Sequence, residues 1–127
     1  MPSTEELFDR YKEHVKSWAY HHGFFVEEFD SGLSVFRTQA DHDAYKRTRN
    51  APNTTIRFTL DFTMDVLTLR YETPTTLVTL RKKHSVYEMS ECVVHWDGKW
   101  RLKPHFAVTF GQFEETFELM LGRFKLA

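Results

Sequence analysis

The 127-residue sequence contains one cysteine, Cys92. No internal disulfide can form, and a single thiol fits a reducing compartment. The expected location is cytoplasmic. The opening stretch, Met1-Pro2-Ser3-Thr4-Glu5-Glu6, is acidic and polar, the reverse of the basic and apolar start of a secretory signal. No apolar run approaches the ~20 residues that span a bilayer, so no membrane partner is expected. The five glycines are scattered singly. There is no G-x-G-x-x-G, no P-loop and no G-x-S-x-G, so a Gly-rich phosphate cradle and a nucleophile elbow are unsupported. The zinc spacings H-E-x-x-H and C-x-x-C are missing as well. Neither a catalytic residue, a metal nor a cofactor is expected.

What is present is ordinary globular material: 41% hydrophobic and 28% charged residues, with 12 phenylalanines. A chain of this length can bury roughly two thirds of its unfolded surface, enough for one domain without a metal or disulfide. Residues 1–127 are read as a single domain.

Charge is close to balanced overall, at −1, but it is segregated along the chain. Residues 1–43 carry four Lys/Arg against nine Asp/Glu, and residues 44–103 carry eleven against six. The last 24 residues, 104–127, hold two against three. An acidic leader and a basic middle would make an electric dipole if they occupied different faces, and such a field steers charged partners.

Ser3 and Glu6 fit a capping box. Leu7, Phe8, Tyr11, Val15, Trp18, Ala19 and His22 then follow at helical spacing, and Gly23 sits where a helix closes. A helix is expected over residues 4–22. Residues 24–29 and 33–38 flank Asp30-Ser31-Gly32 and read as a hairpin. The polar stretch 40–54 reads as a loop with one helical turn near residues 43–47. Ile56, Phe58, Leu60, Phe62 and Met64 alternate with polar residues, and Leu67, Leu69 and Tyr71 follow. A loop at Met64-Asp65 would put Phe62 opposite Leu67, Leu60 opposite Leu69 and Phe58 opposite Tyr71, with Arg57 facing Glu72 on the other side. Met-Asp is a poor turn dipeptide, which leaves a longer loop open.

Strands over residues 76–82 and 85–96 come next, with Lys82, Lys83 and His84 at the tip between them. Asp97-Gly98 is a strong type I′ turn signal and would pair Trp96 with Lys99, His95 with Trp100, Val94 with Arg101 and Val93 with Leu102. A last short strand is expected within residues 105–110. A final helix beginning at Thr109 or Gly111 would carry the stripe Phe113, Phe117, Met120, Leu121 and Phe124. The fold class is α+β: an N-terminal helix, an antiparallel meander of six to seven strands forming a curved sheet, and a C-terminal helix packed on that sheet. A barrel-like sandwich capped by the last helix is the alternative.

Several clusters invite a chemical reading. His21-His22 and Asp41-His42-Asp43 could suggest a metal, but adjacent helical histidines point apart. Glu27 and Glu28 face opposite sides of a strand, which breaks them as an acid–base pair and leaves them as surface charge. Cys92 beside Val93 and Val94 reads as a buried, inert thiol.

The basic middle is the most informative feature. Lys99, Arg101 and Lys103 share one strand face with Trp96, and Trp100 lies beside them. Arg81, Lys82 and Lys83 crowd a hairpin tip. A Trp- and Arg-containing patch is typical of interface hot spots. The expected function is a non-enzymatic protein-binding domain, an inhibitor, adaptor or chaperone-like module, that docks through Trp96, Lys99, Trp100, Arg101 and Lys103. Arg81, Lys82 and Lys83 would be its steering charges. Cations beside aromatic rings also suit single-stranded nucleic acid, where Lys46, Arg47 and Arg49 would join. A third possibility is an apolar-ligand pocket, or a small enzyme, under a helix with Tyr71 and His95.

Overall fold

A computed structural model of the protein describes residues 3–47, 56–74, 76–83, 90–96, 106–108 and 110–126. The elements run α1 (Thr4–His21), β1 (Phe25–Phe29), β2 (Gly32–Phe36), α2 (Gln39–Arg47), β3 (Arg57–Thr63), β4 (Val66–Glu72), β5 (Thr76–Lys83), β6 (Ser90–Trp96), β7 (Phe106–Val108) and α3 (Phe110–Leu126). The class is α+β, an antiparallel sheet between an N-terminal and a C-terminal helix. Strands β1 to β5 pair in chain order, and β6 and β7 extend the same sheet. β1 and β7 stand at its two ends, so the sheet is open rather than a closed barrel among the described residues.

α1 begins where its cap requires. The Ser3 hydroxyl accepts the Glu6 backbone N–H at 3.1 Å, satisfying one of the donors a helix start leaves unpaired. Gly23, at φ +72°, takes the left-handed turn that ends the helix, and the chain then enters β1.

The β3–β4 hairpin has the register that the apolar matches demand: Phe62 opposite Leu67, Leu60 opposite Leu69, Phe58 opposite Tyr71 and Arg57 opposite Glu72. Its loop is the two residues Met64 and Asp65, both at positive φ, 53° and 63°. The hairpin therefore keeps a tight turn despite residues poorly suited to it. The cross-strand apolar pairs hold what the loop alone would not select.

Strand alternation gives the sheet two different faces. One face carries Val35, Leu33, Phe58, Leu60, Leu67, Leu69, Tyr71 and Leu80, all buried. Both α1 and α3 pack on this face. Phe8 of α1 stacks on Phe62 at 5.3 Å between ring centroids, and Phe117 of α3 meets Phe58 edge-on at 6.3 Å. The helices also touch each other through Tyr11 with Phe117, stacked at 4.5 Å, and Trp18 with Phe124 at 5.6 Å. Arg37 Nη1 donates to the Phe124 carbonyl at 2.9 Å, placing a cation at the negative end of α3. Tyr71 lies inside this packed core, not beside an open pocket.

The stretch expected to be a loop with one turn is instead a helix of nine residues, α2. Thr38 caps it: its hydroxyl accepts the Asp41 N–H at 3.1 Å. α2 has no fully buried residue, and it sits on the sheet face opposite α1 and α3. There Phe36, fully buried, meets His42 at 5.1 Å and Tyr45 at 5.6 Å between ring centroids. No aliphatic stripe advertises this helix, because His and Tyr rings do the packing.

β7 pairs with the start of β6, and Cys92 stands opposite Phe106. The observed register extends the row Leu33, Leu60, Leu69, Leu80 and Cys92 with an apolar residue. The turn expected at Asp97-Gly98 and the pairings drawn from it lie outside the described residues.

Two stability outcomes follow. Replacing Met64-Asp65 with Asn-Gly removes two strained left-handed residues and should raise the urea midpoint, by about 1–2 kcal/mol in unfolding free energy. Gly32→Ala should do the reverse by about 2–3 kcal/mol, because a Cβ there would lie 1.8 Å from the Leu60 backbone oxygen. Equal midpoints for wild type and either variant would contradict the turn or the close approach.

Candidate functional site

Away from α1 and α3, the sheet and α2 enclose an open cleft of about 480 Å³ lined by Glu27, Phe29, Ser34, Tyr45, Lys46, Arg57 and Thr59. Its parts come from four elements. β1 supplies Glu27 and Phe29, β2 Ser34, β3 Arg57 and Thr59, and α2 Tyr45 and Lys46. Strand alternation is what gathers them, since Glu27, Ser34 and Thr59 stand in one cross-strand row. The Ser34 and Thr59 hydroxyls lie 3.3 Å apart and are hydrogen-bonded.

Arg57 is held from two sides. Its Nη2 donates to Glu72 Oε1 at 2.8 Å and its Nη1 to the Tyr45 hydroxyl at 2.5 Å. Its guanidinium carbon also lies 4.4 Å from the Tyr45 ring centroid, a cation–π contact. The pair is mostly buried, with side-chain exposures of 16% for Arg57 and 17% for Glu72. Losing either partner would strand the other charge away from water.

His42 joins α2 to the edge of the sheet. Its Nε2 meets Glu27 Oε2 at 2.5 Å and its Nδ1 meets Asp43 Oδ1 at 3.1 Å. The ring is flanked by Phe25 at 4.6 Å and Phe36 at 5.1 Å. The hydrogen bond to Glu27 raises the imidazole pKa above 6.5, against the opposing effect of burial. For Glu27, burial pushes the carboxyl up, but hydrogen bonds from His42 and Lys46 outweigh it and the net shift is downward from 4.5. Lys46 Nζ lies 3.1 Å from Glu27 Oε1. Both ring nitrogens of His42 therefore face carboxylates. In this arrangement His42 clamps α2 to the sheet.

The residues expected to form the interface are distributed differently. Arg81, Lys82 and Lys83 do not form one exposed cluster. Arg81 is half-buried and stands opposite Thr68 on the face away from the two long helices. Lys82 is 4% exposed, opposite Leu67 on the helix-covered face. Neighbouring strand residues point to opposite faces, so a basic run on a strand cannot be a single patch. Lys83 ends β5 opposite Val66, and Trp96 ends β6 opposite Thr76. Lys46 lines the cleft and Arg47 closes α2, exposed. Arg49, Lys99, Trp100, Arg101 and Lys103 lie outside the described residues.

Sequence reading missed Glu27, Tyr45 and Arg57. The first was read as solvated charge because its partners, His42 and Lys46, come 15 and 19 positions later on a helix that was not foreseen. A helix reading of residues 39–47 would have found it, since His42 and Lys46 are spaced i, i+4. Among the described residues no group of three or more His, Cys, Asp or Glu could hold a metal. No described helix is long and apolar enough to cross a membrane. No family model, curated protein or solved structure matches the chain.

The clamp has a defined pH dependence. His42, with its raised value, contributes stability that is fully present below 6.5 and lost as pH rises through the folded-state value. Glu27, with its lowered value, contributes stability present above 4.5 and lost as pH falls through its folded-state value. The Tm difference between wild type and His42→Gln should be widest between those limits and should shrink as pH rises past the His42 titration. A difference that stays constant from pH 5 to 9 (roughly the range over which a histidine can titrate) would mean that His42 contributes packing but no charge.

Proposed function

We propose that the chain is a single-domain, cytoplasmic, non-enzymatic protein-binding module, an inhibitor, adaptor or chaperone-like protein. It would recognise its partner through the basic and aromatic surface on the side of the sheet away from α1 and α3. The observation that supports this reading is the cleft itself. It sets Lys46, Arg57 and Tyr45 around the Ser34 and Thr59 hydroxyls, and both histidine nitrogens nearby are already engaged by carboxylates. Fixed cations and hydroxyls suit the docking of a partner's acidic side chain.

Arg81 and Lys83 would add charge to this surface, and Trp96, Lys99, Trp100, Arg101 and Lys103 would form a second docking patch of their own. Lys82 has no part in this surface, because it is buried on the other face.

Native mass spectrometry of the untagged protein from its own source tests the class, and an adduct of protein mass is the expected result. With the partner in hand, two double variants test the two surfaces. Lys46→Ala with Arg70→Ala (Arg70 stands on the same sheet face, opposite Thr59 and Thr79) truncates side chains that are 46% and 45% exposed without setting a new carboxylate beside Glu27 or Glu72. Lys99→Glu with Arg101→Glu tests the second patch. Each pair should weaken binding at least tenfold, about 1.4 kcal/mol. Unchanged affinity in both would remove both surfaces from consideration.

A second reading, single-stranded nucleic-acid binding, draws on the same cations together with Arg47 and Arg49. The exposed aromatic Phe29 beside Lys46 favours it. It predicts an oligonucleotide adduct and affinity that falls steeply with salt as counterions are released.

A further inference from the structure

We propose that β1 is a self-recognition edge through which two copies of the chain pair antiparallel about a two-fold axis, joining their sheets. β1 is an end strand of the sheet, and its sequence is Phe25-Val26-Glu27-Glu28-Phe29. Exposed edges are normally protected by lysine, proline, a bulge or an unbalanced charge. β1 has no Lys or Pro, and its pairing with β2 runs without a bulge from Phe25 opposite Phe36 to Phe29 opposite Gly32.

Its two glutamates are the only protective charges, and each is already neutralised from within. Glu27 is held by His42 at 2.5 Å and Lys46 at 3.1 Å. Glu28 is held by Lys16 at 3.3 Å and Lys12 at 3.8 Å. The hydrogen bond that Lys16 donates to Glu28 is also the largest cause of its raised pKa. An acidic edge on paper thus has each carboxylate matched by at least one cation in the folded chain.

In a two-fold antiparallel contact centred on Glu27, Val26 of each copy faces Glu28 of the other and the two Glu27 side chains face each other on the axis. Two β1 strands centred on Glu27 place Phe25 of each copy opposite Phe29 of the other. Phe29 is among the large apolar residues left exposed, at 38%. Aromatic cross-strand pairs of this kind stabilise sheets. Lys46, 46% exposed and 3.1 Å from Glu27 of its own chain, would offset the repulsion between the two facing Glu27 carboxylates. A five-residue strand spans only about 17 Å, and such a contact falls short of the ~1,200 Å² of a stable interface. The association is therefore weak and reversible.

Sedimentation velocity on the purified full chain tests this. The weight-average mass should climb from 15.2 kDa towards twice that value as concentration rises to about 1 mM, the scale of a weak contact. Glu28→Lys sets a third ammonium beside Lys12 and Lys16, and should leave a monomer at every concentration with unchanged circular dichroism. Phe29→Lys, which removes the aromatic pair instead, should do the same.

Register is tested separately in a Cys92→Ser background. Glu27→Cys lies on the two-fold axis and should cross-link to itself under mild oxidation. Glu28→Cys sits diagonally across it, beyond the ~7 Å limit between Cα atoms for a disulfide, and should not. A wild-type mass that stays at one chain throughout overturns the proposal. So does self-association that survives both lysine variants, or cross-linking that is stronger at position 28 than at position 27.

Discussion

The β3–β4 register is the constraint on which the rest of the structure depends. Once Phe58, Leu60 and Phe62 face Tyr71, Leu69 and Leu67, every neighbouring strand inherits a face. Leu33 and Val35 must then join the apolar side from β2, and Leu80 from β5. α1 and α3 have one surface on which to bury Leu7, Tyr11, Val15, Phe117 and Phe124. Each such side chain contributes roughly 1.5–3 kcal/mol when removed from water. A slip of one residue would turn the whole set over and strand it in solvent. This explains how the hairpin keeps a two-residue turn at Met64-Asp65, where Met64 does not favour positive φ.

The same alternation creates the candidate site. The residues rejected from the core, Glu27, Ser34, Thr59, Arg57 and Glu72, fall together on the opposite face, where α2 roofs one corner of them. α2 cannot anchor itself by aliphatic burial, since none of its residues is fully buried. It relies on His42 wedged between Phe25 and Phe36, on Tyr45 over Arg57, and on the ion pairs to Glu27. Helix stability and site geometry are therefore one property here. Tyr45 and Lys46 share the helix that the His42–Glu27 contact anchors.

Much of the architecture was legible in the residues because it rests on short-range, periodic signals. The capping pair Ser3 and Glu6, the helical stripe from Leu7 to Ala19 and the alternation from Phe58 to Phe62 each repeat within a few positions, and each marks its element nearly to the residue. α2 was not legible, because its contacts are aromatic–imidazole and ionic and so leave no apolar period. The cleft was missed for the same reason: Glu27 looks solvated until His42 and Lys46 are known to share a helix face. Lys82 shows a different failure. Its place beside Arg81 and Lys83 suggests a cluster, but its place in a strand sends it to the opposite side of the sheet.

The charge blocks along the chain show how far composition can mislead about a field. An acidic leader and a basic middle imply a dipole only if folding keeps them apart. Here Glu27, from the acidic block, is bound by Lys46 from the basic one. Glu28 is bound by Lys12 and Lys16 of its own block, and Arg57 by Glu72 within the basic block. At these positions opposite charges meet at 2.8–3.8 Å, so their far fields largely cancel beyond a Debye length of about 8 Å. What survives is local: guanidinium and ammonium groups held in fixed positions beside hydroxyls and one exposed aromatic ring. Recognition at such a surface depends on shape and contact at close range more than on steering from a distance. The same internal neutralisation removes the repulsion that would otherwise keep the β1 edge solitary.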